Sequence, residues 1–285
     1  MNNIFLTVPG LGSSYLMGEI LSQYSDGICI PYNDFKTIRE IKNKNIILVK
    51  KYIGSNIYPP ELFDYLRKKN NKIIYIVVDG FSVNTNDFTK KIKQYKSLYD
   101  LVLFNTESSL KQFSNVVNTG ILRHIWDPNL KPNIKNEFSL CYFGSLRDDK
   151  IFLDNNIDIK TIDCSSNNKD GFYTELLKHN CHYSVRGNDW SEYKYGVNTK
   201  LSSAAATNSN IICSTDYAFR EILPQYDYYI KDNRVDTILD MLNRCKSEFG
   251  SKNWYNNLSK LEKIKKMTDP IVIGQQLISN LKKNI

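Results

Sequence analysis

Short apolar runs, separated by longer stretches with helical spacing, recur from one end of the chain to the other. Ile4–Val8, Gly27–Ile30, Asn45–Lys50, Ile73–Val78 and Leu101–Asn105 are too short for helices. Their continuous apolar character predicts buried strands. Asp34–Ile41, Pro60–Lys69 and Asn86–Leu98 lie between them and predict helices. Strand and helix in alternation give a parallel sheet wrapped by helices. The pattern stops at Ile121–Pro128, and Pro128, Pro132 and the polar residues Asn129–Asn136 predict a linker. It then resumes. Strands are predicted at Phe138–Phe143, Ile157–Ile162, Ile211–Cys213 and Tyr228–Ile230, with Cys181–Gly187 running to the same edge of the sheet. Helices are predicted at Gly171–His179, Asn198–Thr207, Tyr217–Leu223, Val235–Phe249 and Lys252–Met267, and a terminal one begins at Pro270. A chain of 285 residues has room for two α/β domains, assigned here to 1–130 and 137–269.

Candidate chemistry clusters where strands end. Asn198–Thr207 carries Ser202, Ser203, Ala204, Ala205 and Ala206 in a row, a lean helix that another backbone or a flat ligand can approach closely. Gly196, Asn198 and Thr199 are suited to its N-cap, and Lys200 stands in its first turn. A cation there opposes the helix dipole by a few tenths of a kcal/mol, roughly, which a bound phosphate would offset; the alternative is a solvated lysine. Gly144-Ser145-Leu146-Arg147 follows a strand as a phosphate-binding corner would, and Arg186 is delivered to the same rim. Pro9-Gly10-Leu11-Gly12-Ser13-Ser14 turns the first strand into a helix. Tyr15 occupies the third glycine position of a dinucleotide fingerprint, which disfavours a nicotinamide cofactor. Asp79 after Ile73–Val78 could serve as a general base or as a turn-forming cap. His124 is a second candidate base, or a hydrogen-bonded structural residue.

From Lys200 onward the order of parts resembles the donor-binding half of GT-B glycosyltransferases. Lys200, Leu201, Ala204, Ala206, Ile211, Ile212 and Ser214 match a K-L-x-x-A-x-A-x-x-x-x-I-I-x-S segment, and Glu221 matches the glutamate that follows it. Asn105-Thr106-Glu107 also resembles the start of a late helix in the first domain of that family. The resemblance implies two Rossmann-like domains with parallel sheets facing a cleft, and a terminal helix, 270–285, that returns to the first domain. It implies a nucleotide-sugar bound on the second domain by Gly144, Ser145, Arg147, Arg186, Asn198, Thr199, Lys200, Leu201, Ser214 and Glu221, with the lysine region on phosphate and Glu221 on ribose. The acceptor would lie on the first domain, at Gly10, Gly12 and Ser13. Retaining family-four enzymes carry a second glutamate eight positions earlier, where this chain has Cys213.

Composition narrows the partners. With 41% hydrophobic and 24% charged residues the chain is globular in type. It lacks a long apolar run, and its opening residues lack the features of a signal peptide, so a cytoplasmic location is expected. Cys29, Cys141, Cys164, Cys181, Cys213 and Cys245 show no C-x-x-C spacing and are expected to be reduced and buried. They share no metal spacing with His124, His179 and His182, and no D-x-D occurs, so no metal and no cofactor are expected. The formal charge of +8 calls for an anionic partner: a phosphorylated substrate, an anionic membrane surface or nucleic acid. No aromatic-and-basic RNA motif is evident, which places nucleic acid last. The function expected is sugar transfer to a hydroxyl. The alternatives are a non-catalytic nucleotide-sugar-binding module, a sugar-nucleotide epimerase and, on charge alone, a nucleic-acid-binding protein.

Overall fold

The computed structural model describes residues 2–8, 12–78, 85–133, 135–144, 152, 154–155, 157, 159–163, 169–185, 199–215, 217–232 and 234–285. The chain divides into two units, Met1–Ile125 with Asp269–Ile285, and Trp126–Trp190 with Thr199–Thr268.

In the first unit six strands are described: β1 Asn3–Thr7, β2 Gly27–Pro31, β3 Asn45–Val49, β4 Lys72–Ile76, β5 Leu101–Phe104 and β6 Thr119–Ile121. They run parallel in the order β2-β1-β3-β4-β5-β6. Alternate side chains of each strand face opposite layers. On one side Leu48, Tyr75 and Phe104 meet α2 (Phe35–Glu40), α3 (Pro60–Lys68), α4 (Thr85–Gln94) and α5 (Glu107–Phe113), through Ile38, Phe63, Ile92 and Phe113. On the other, Phe5, Ile47 and Leu103 meet α1, a wide-turn segment Tyr15–Ile20 continued by Leu21–Gln23. The same face receives Ile273, Leu277 and Leu281 of the last helix, Pro270–Asn284. That helix comes so close that a Cβ on Gly274 would sit 2.1 Å from the Tyr24 carbonyl oxygen.

Strand β6 is an addition to the elements expected from sequence. Its three residues carry one large apolar side chain, and pairing with β5 (Phe104 with Ile121) holds it in place. The helix expected over Asn86–Leu98 is divided, with α4 ending at Gln94 and a tighter turn at Lys96–Leu98.

The second unit holds β7 Leu140–Gly144, β8 Lys160–Asp163, β9 Cys181–Ser184, β10 Asn210–Ser214 and β11 Tyr229–Ile230. They run parallel in the order β11-β10-β9-β7-β8. The described helices are α6 Lys169–Leu176, α7 Lys200–Ala206, α8 Tyr217–Ile222, α9 Val235–Glu248 and α10 Lys252–Met267, after which the terminal helix is α11. Two strands start later than their apolar runs. Ser139 N–H donates to the side chain of Asn180 (3.0 Å) instead of joining the ladder, so β7 begins at Leu140 rather than Phe138. Ile159 N–H bonds to the Ile157 carbonyl (2.9 Å), a local turn that delays β8 to Lys160. Residues predicted as a linker pack within this unit: Leu130 enters its core and Asn133 N–H donates to the Thr207 carbonyl (2.8 Å); just before them, Trp126 Nε1 donates to the Lys265 carbonyl (3.0 Å). Cys141, Cys181, Cys213 and Cys245 are buried free thiols and Cys29 is a half-buried one; Cys164 lies outside the described residues.

Candidate functional site

Each sheet has a point where successive connections leave in opposite directions. In an open parallel sheet, that point at the carboxyl ends of the strands is where ligands bind. In the second unit the chain runs from β7 to β8 on one side and then to β9 on the other, so the point lies beyond Gly144 and Ser184. Gly144 adopts φ +149, which disfavours a side chain, and a Cβ there would stand 3.2 Å from Lys200 Nζ and 3.1 Å from Tyr142 Oη. A glycine is what lets the ammonium reach the end of β7.

Lys200 is buried, 6% exposed, with Nζ 4.0 Å from the centre of the Tyr142 ring and 5.6 Å from that of Phe143. The alternative of a solvated lysine is therefore replaced by a cation held against aromatic faces. Its field reaches the strand interior. Burial pushes the Cys141 thiol well up while Lys200 pulls it the other way. Burial first, then His179 and Lys200, lowers His182 to about 3, so this imidazole is neutral at ordinary pH.

The remaining predicted donor residues fall as follows. Thr199 occupies the N-cap slot of α7 in helical geometry, φ −66 and ψ −11, and its side chain makes no capping bond; its carbonyl accepts from Ser203 N–H (3.1 Å) and from the hydroxyls of Ser202 and Ser203. An effective cap needs an extended residue, so the N-cap role expected for Thr199 is not realised by its side chain. Leu201 is buried as part of the helix packing, and Ser214 is buried as the last residue of β10. Glu221 is half-buried in the last turn of α8, which begins at Tyr217 as predicted. Ser145, Arg147, Arg186 and Asn198 lie outside the described residues.

In the first unit the chain leaves β1 for β2 and then returns to β3 on the opposite side, so the corresponding point lies beyond Thr7 and Val49. Gly12 and Ser13 follow β1; Gly10 and Asp79 are outside the described residues. Lys50, directly after β3, has φ +81, a strained conformation for a lysine that sequence reading did not single out. Further along the same edge, His124 is buried and its Nε2 lies 3.1 Å from Asn105 Nδ2. An amide nitrogen can only donate, so Nε2 accepts and the ring carries its proton on Nδ1. Thr106 then caps α5 by accepting from Ser109 N–H (3.3 Å), with Glu107 in the first turn. Among the described residues no group of three His, Cys, Asp or Glu side chains is placed to hold a metal.

Tyr142 and Asn105 are the partners that sequence reading missed. Tyr142 could have been found by alternation, because residues two apart on a strand share a face and it precedes Gly144 by two. Asn105 meets His124 from a different strand end, and only the pairing of β5 with β6 brings them together.

Two doubly wound parallel sheets, the second with Lys200 beside its switch point, make a two-domain α/β protein of the Rossmann-like kind. No protein-family model and no curated protein sequence matches the chain. Solved structures do. The chain is similar to Anabaena Alr3699/HepE in complex with UDP-glucose, with a TM-score of 0.69 at 12% identity over 99% of this chain and 100% of that one. It is similar to sucrose-phosphate synthase from Thermosynechococcus elongatus, with a TM-score of 0.67 at 9% identity over 99% of each chain. A glycosyltransferase from Rickettsia africae gives 0.65 at 10% identity, covering 99% of this chain and 98% of that one. The fold is the GT-B fold of nucleotide-sugar glycosyltransferases, along the whole chain.

Proposed function

We propose that this protein is a glycosyltransferase that moves a sugar from a nucleotide-sugar to a hydroxyl group. The observation that carries the reading is the buried Lys200 ammonium beside Gly144, at the switch point of the second sheet, in a fold shared over 99% of the chain with a protein solved in complex with UDP-glucose. In this reading Lys200 holds the donor's phosphates as a point charge, together with Arg147 and Arg186, and Glu221 accepts hydrogen bonds from the ribose hydroxyls. These cations stabilise the charge that develops on the leaving phosphate, so the transfer is metal-independent.

The acceptor hydroxyl oxygen attacks the anomeric carbon while the bond from that carbon to the phosphate oxygen breaks. The leaving nucleotide keeps the electron pair, and the hydroxyl proton passes to a base on the first unit. Asp79 is assigned that role, because the Nε2 lone pair of His124 is engaged by Asn105. His124, beyond β6 and so four strands away from β1, stays a neutral imidazole. Cys213, at the position of the second glutamate of retaining enzymes, is fully buried, which favours a route that uses a separate base. Supply of the donor in solution fits a cytoplasmic location.

The test is a panel of nucleotide-sugars, with free nucleotides alongside, assayed by thermal shift and then by acceptor-dependent nucleotide release. At about a hundred times its dissociation constant the right donor adds about 2.7 kcal/mol of stability. Asp79→Asn should bind that donor normally and lose about a thousandfold or more in turnover. A protein stabilised by no member of the panel overturns the reading; binding without release under any acceptor turns it into a binding module.

A further inference from the structure

The charges of the first unit are sorted by sheet edge. Asp34, Glu61, Glu107 and Asp269 stand at the starts of α2, α3, α5 and α11. The helix ends and the connections into the next strands carry mostly the opposite sign, with Asp26 before β2 and Glu40 at the end of α2 as exceptions. Exposed Lys42 precedes β3, Lys68 ends α3, Lys93 and Lys96 precede β5, Lys111 lies in the last turn of α5, and Lys282 in the last turn of α11. These connections meet at the amino edge of the sheet. Asn70 Nδ2 bonds to Asn43 Oδ1 (3.0 Å), Arg67 reaches the Leu98 carbonyl (3.2 Å), and Asn118 donates to the carbonyls of Asp100 and Asn284 (3.0 Å each). Asp100 is a carboxylate on this edge, and it is occupied by Arg67 at 2.6 Å and Lys72 at 3.5 Å. Cations near helix carboxyl ends suit the dipole, which accounts for some of them singly. It does not account for Lys42 or Lys96, which lie outside α2 and α4, nor for the excess of cations over the carboxylates Asp26, Glu40 and Asp100 on this edge.

We propose that the amino edge of the first unit's sheet docks on an anionic lipid bilayer. The cations arise from successive connections along the sheet, with strands about 4.8 Å apart, and from helices on both of its faces, so they form a broad array rather than a groove that would follow one linear polyanion. Each cation near an anionic bilayer contributes about 1 kcal/mol. Tyr65, 41% exposed, stands one turn before the end of α3 with Lys69 Nζ 4.7 Å from its ring centre, an amphipathic ring placed as interfacial aromatics are. Docked this way, the carboxyl edge with His124 and Asn105 stands clear of the lipid by the length of a strand, about 17 Å for five residues. The inference uses only the first unit's charges and is independent of the reaction.

The full chain is sedimented with phosphatidylcholine vesicles with and without phosphatidylglycerol, at low and high salt. Binding to the anionic vesicles alone, released by salt, is expected. Lys68→Glu, Lys93→Glu and Lys96→Glu together should weaken it about a hundredfold with the melting temperature kept. The same reversal at Lys252, Lys263 and Lys266, exposed on α10 of the second unit, should leave it unchanged. Equal loss from both triple variants, equal binding to neutral vesicles, or retention on single-stranded DNA without vesicle binding would each overturn the proposal.

Discussion

The central strands of the first sheet are nearly all hydrocarbon and those of the second are not. β3 reads Asn-Ile-Ile-Leu-Val and β5 Leu-Val-Leu-Phe, and burial there removes almost nothing polar from water. The strands of the second sheet bury Cys141, Cys181, His182, Ser184, Asn210 and Ser214. Some of these groups are well matched: Asn210 Oδ1 accepts from Tyr226 Oη (3.0 Å), and Ile211 N–H donates to the same hydroxyl (2.9 Å). His182, fully buried beside Phe143 at 5.2 Å between ring centres, has neither ring nitrogen in a hydrogen bond. The contrast teaches that two sheets of one topology can differ in what limits them. Packing limits the first, and the protonation and pairing of buried polar groups limit the second.

The largest expected effect breaks that contrast at His182. Its folded pKa, about 3, lies below the unfolded value near 6.5, so the unfolded chain binds the extra proton first as pH falls. Stability from this group is fully present above about pH 6.5 and is lost toward pH 3, by up to about 4 kcal/mol. Denaturant titrations across that window should show the loss, and His182→Phe should flatten it with little change at neutral pH. A wild-type curve no steeper than that of the variant would show that the second sheet does not titrate.

The next effect sharpens the comparison at the ligand edges. Lys200→Met keeps the apolar stem over Tyr142 and removes the charge, so nucleotide diphosphate affinity should fall by about ten- to a hundredfold, or about 1.5 to 3 kcal/mol. Calorimetric titration measures it. The third compares two buried phenols. Tyr226→Phe strands the Ile211 N–H and the side-chain Oδ1 of Asn210, whereas Tyr58→Phe removes one donor, at 2.7 Å, from the Leu6 backbone carbonyl. The first should cost about 2 kcal/mol and the second about 1 in urea unfolding. Equal costs would mean that polar pairing matters no more in the second sheet than in the first.

The same difference governs what the sequence made legible. Continuous apolar runs placed β1 through β5 within a residue or two, because each run is also a strand, buried in all but the edge strand β2. In the second sheet the runs at Phe138 and Ile157 overstate their strands, since Asn180 and a local turn capture backbone groups the ladder would have used. Lys200 was legible as a lysine in the first turn of its helix and His124 as a candidate base near the end of the first domain, but their settings were not. The ring beneath Lys200 belongs to a strand far earlier in the chain, and the amide on His124 to a neighbouring strand end. Glu221 was legible as a residue near the sheet edge; its place a turn into α8 depends on where the helix starts.

Helix α11 covers one face of the first sheet, with Gly274 against Tyr24, although every residue of the second unit lies between the two in sequence. On the ribosome, β1 through β6 therefore emerge long before the segment that shields Phe5, Ile47 and Leu103. That face must wait, half covered, while the second unit is made. Contacts of such sequence separation form late and slowly. The nascent chain thus offers chaperones a transient apolar surface, and a ribosome stalled before residue 269 would leave it permanently open.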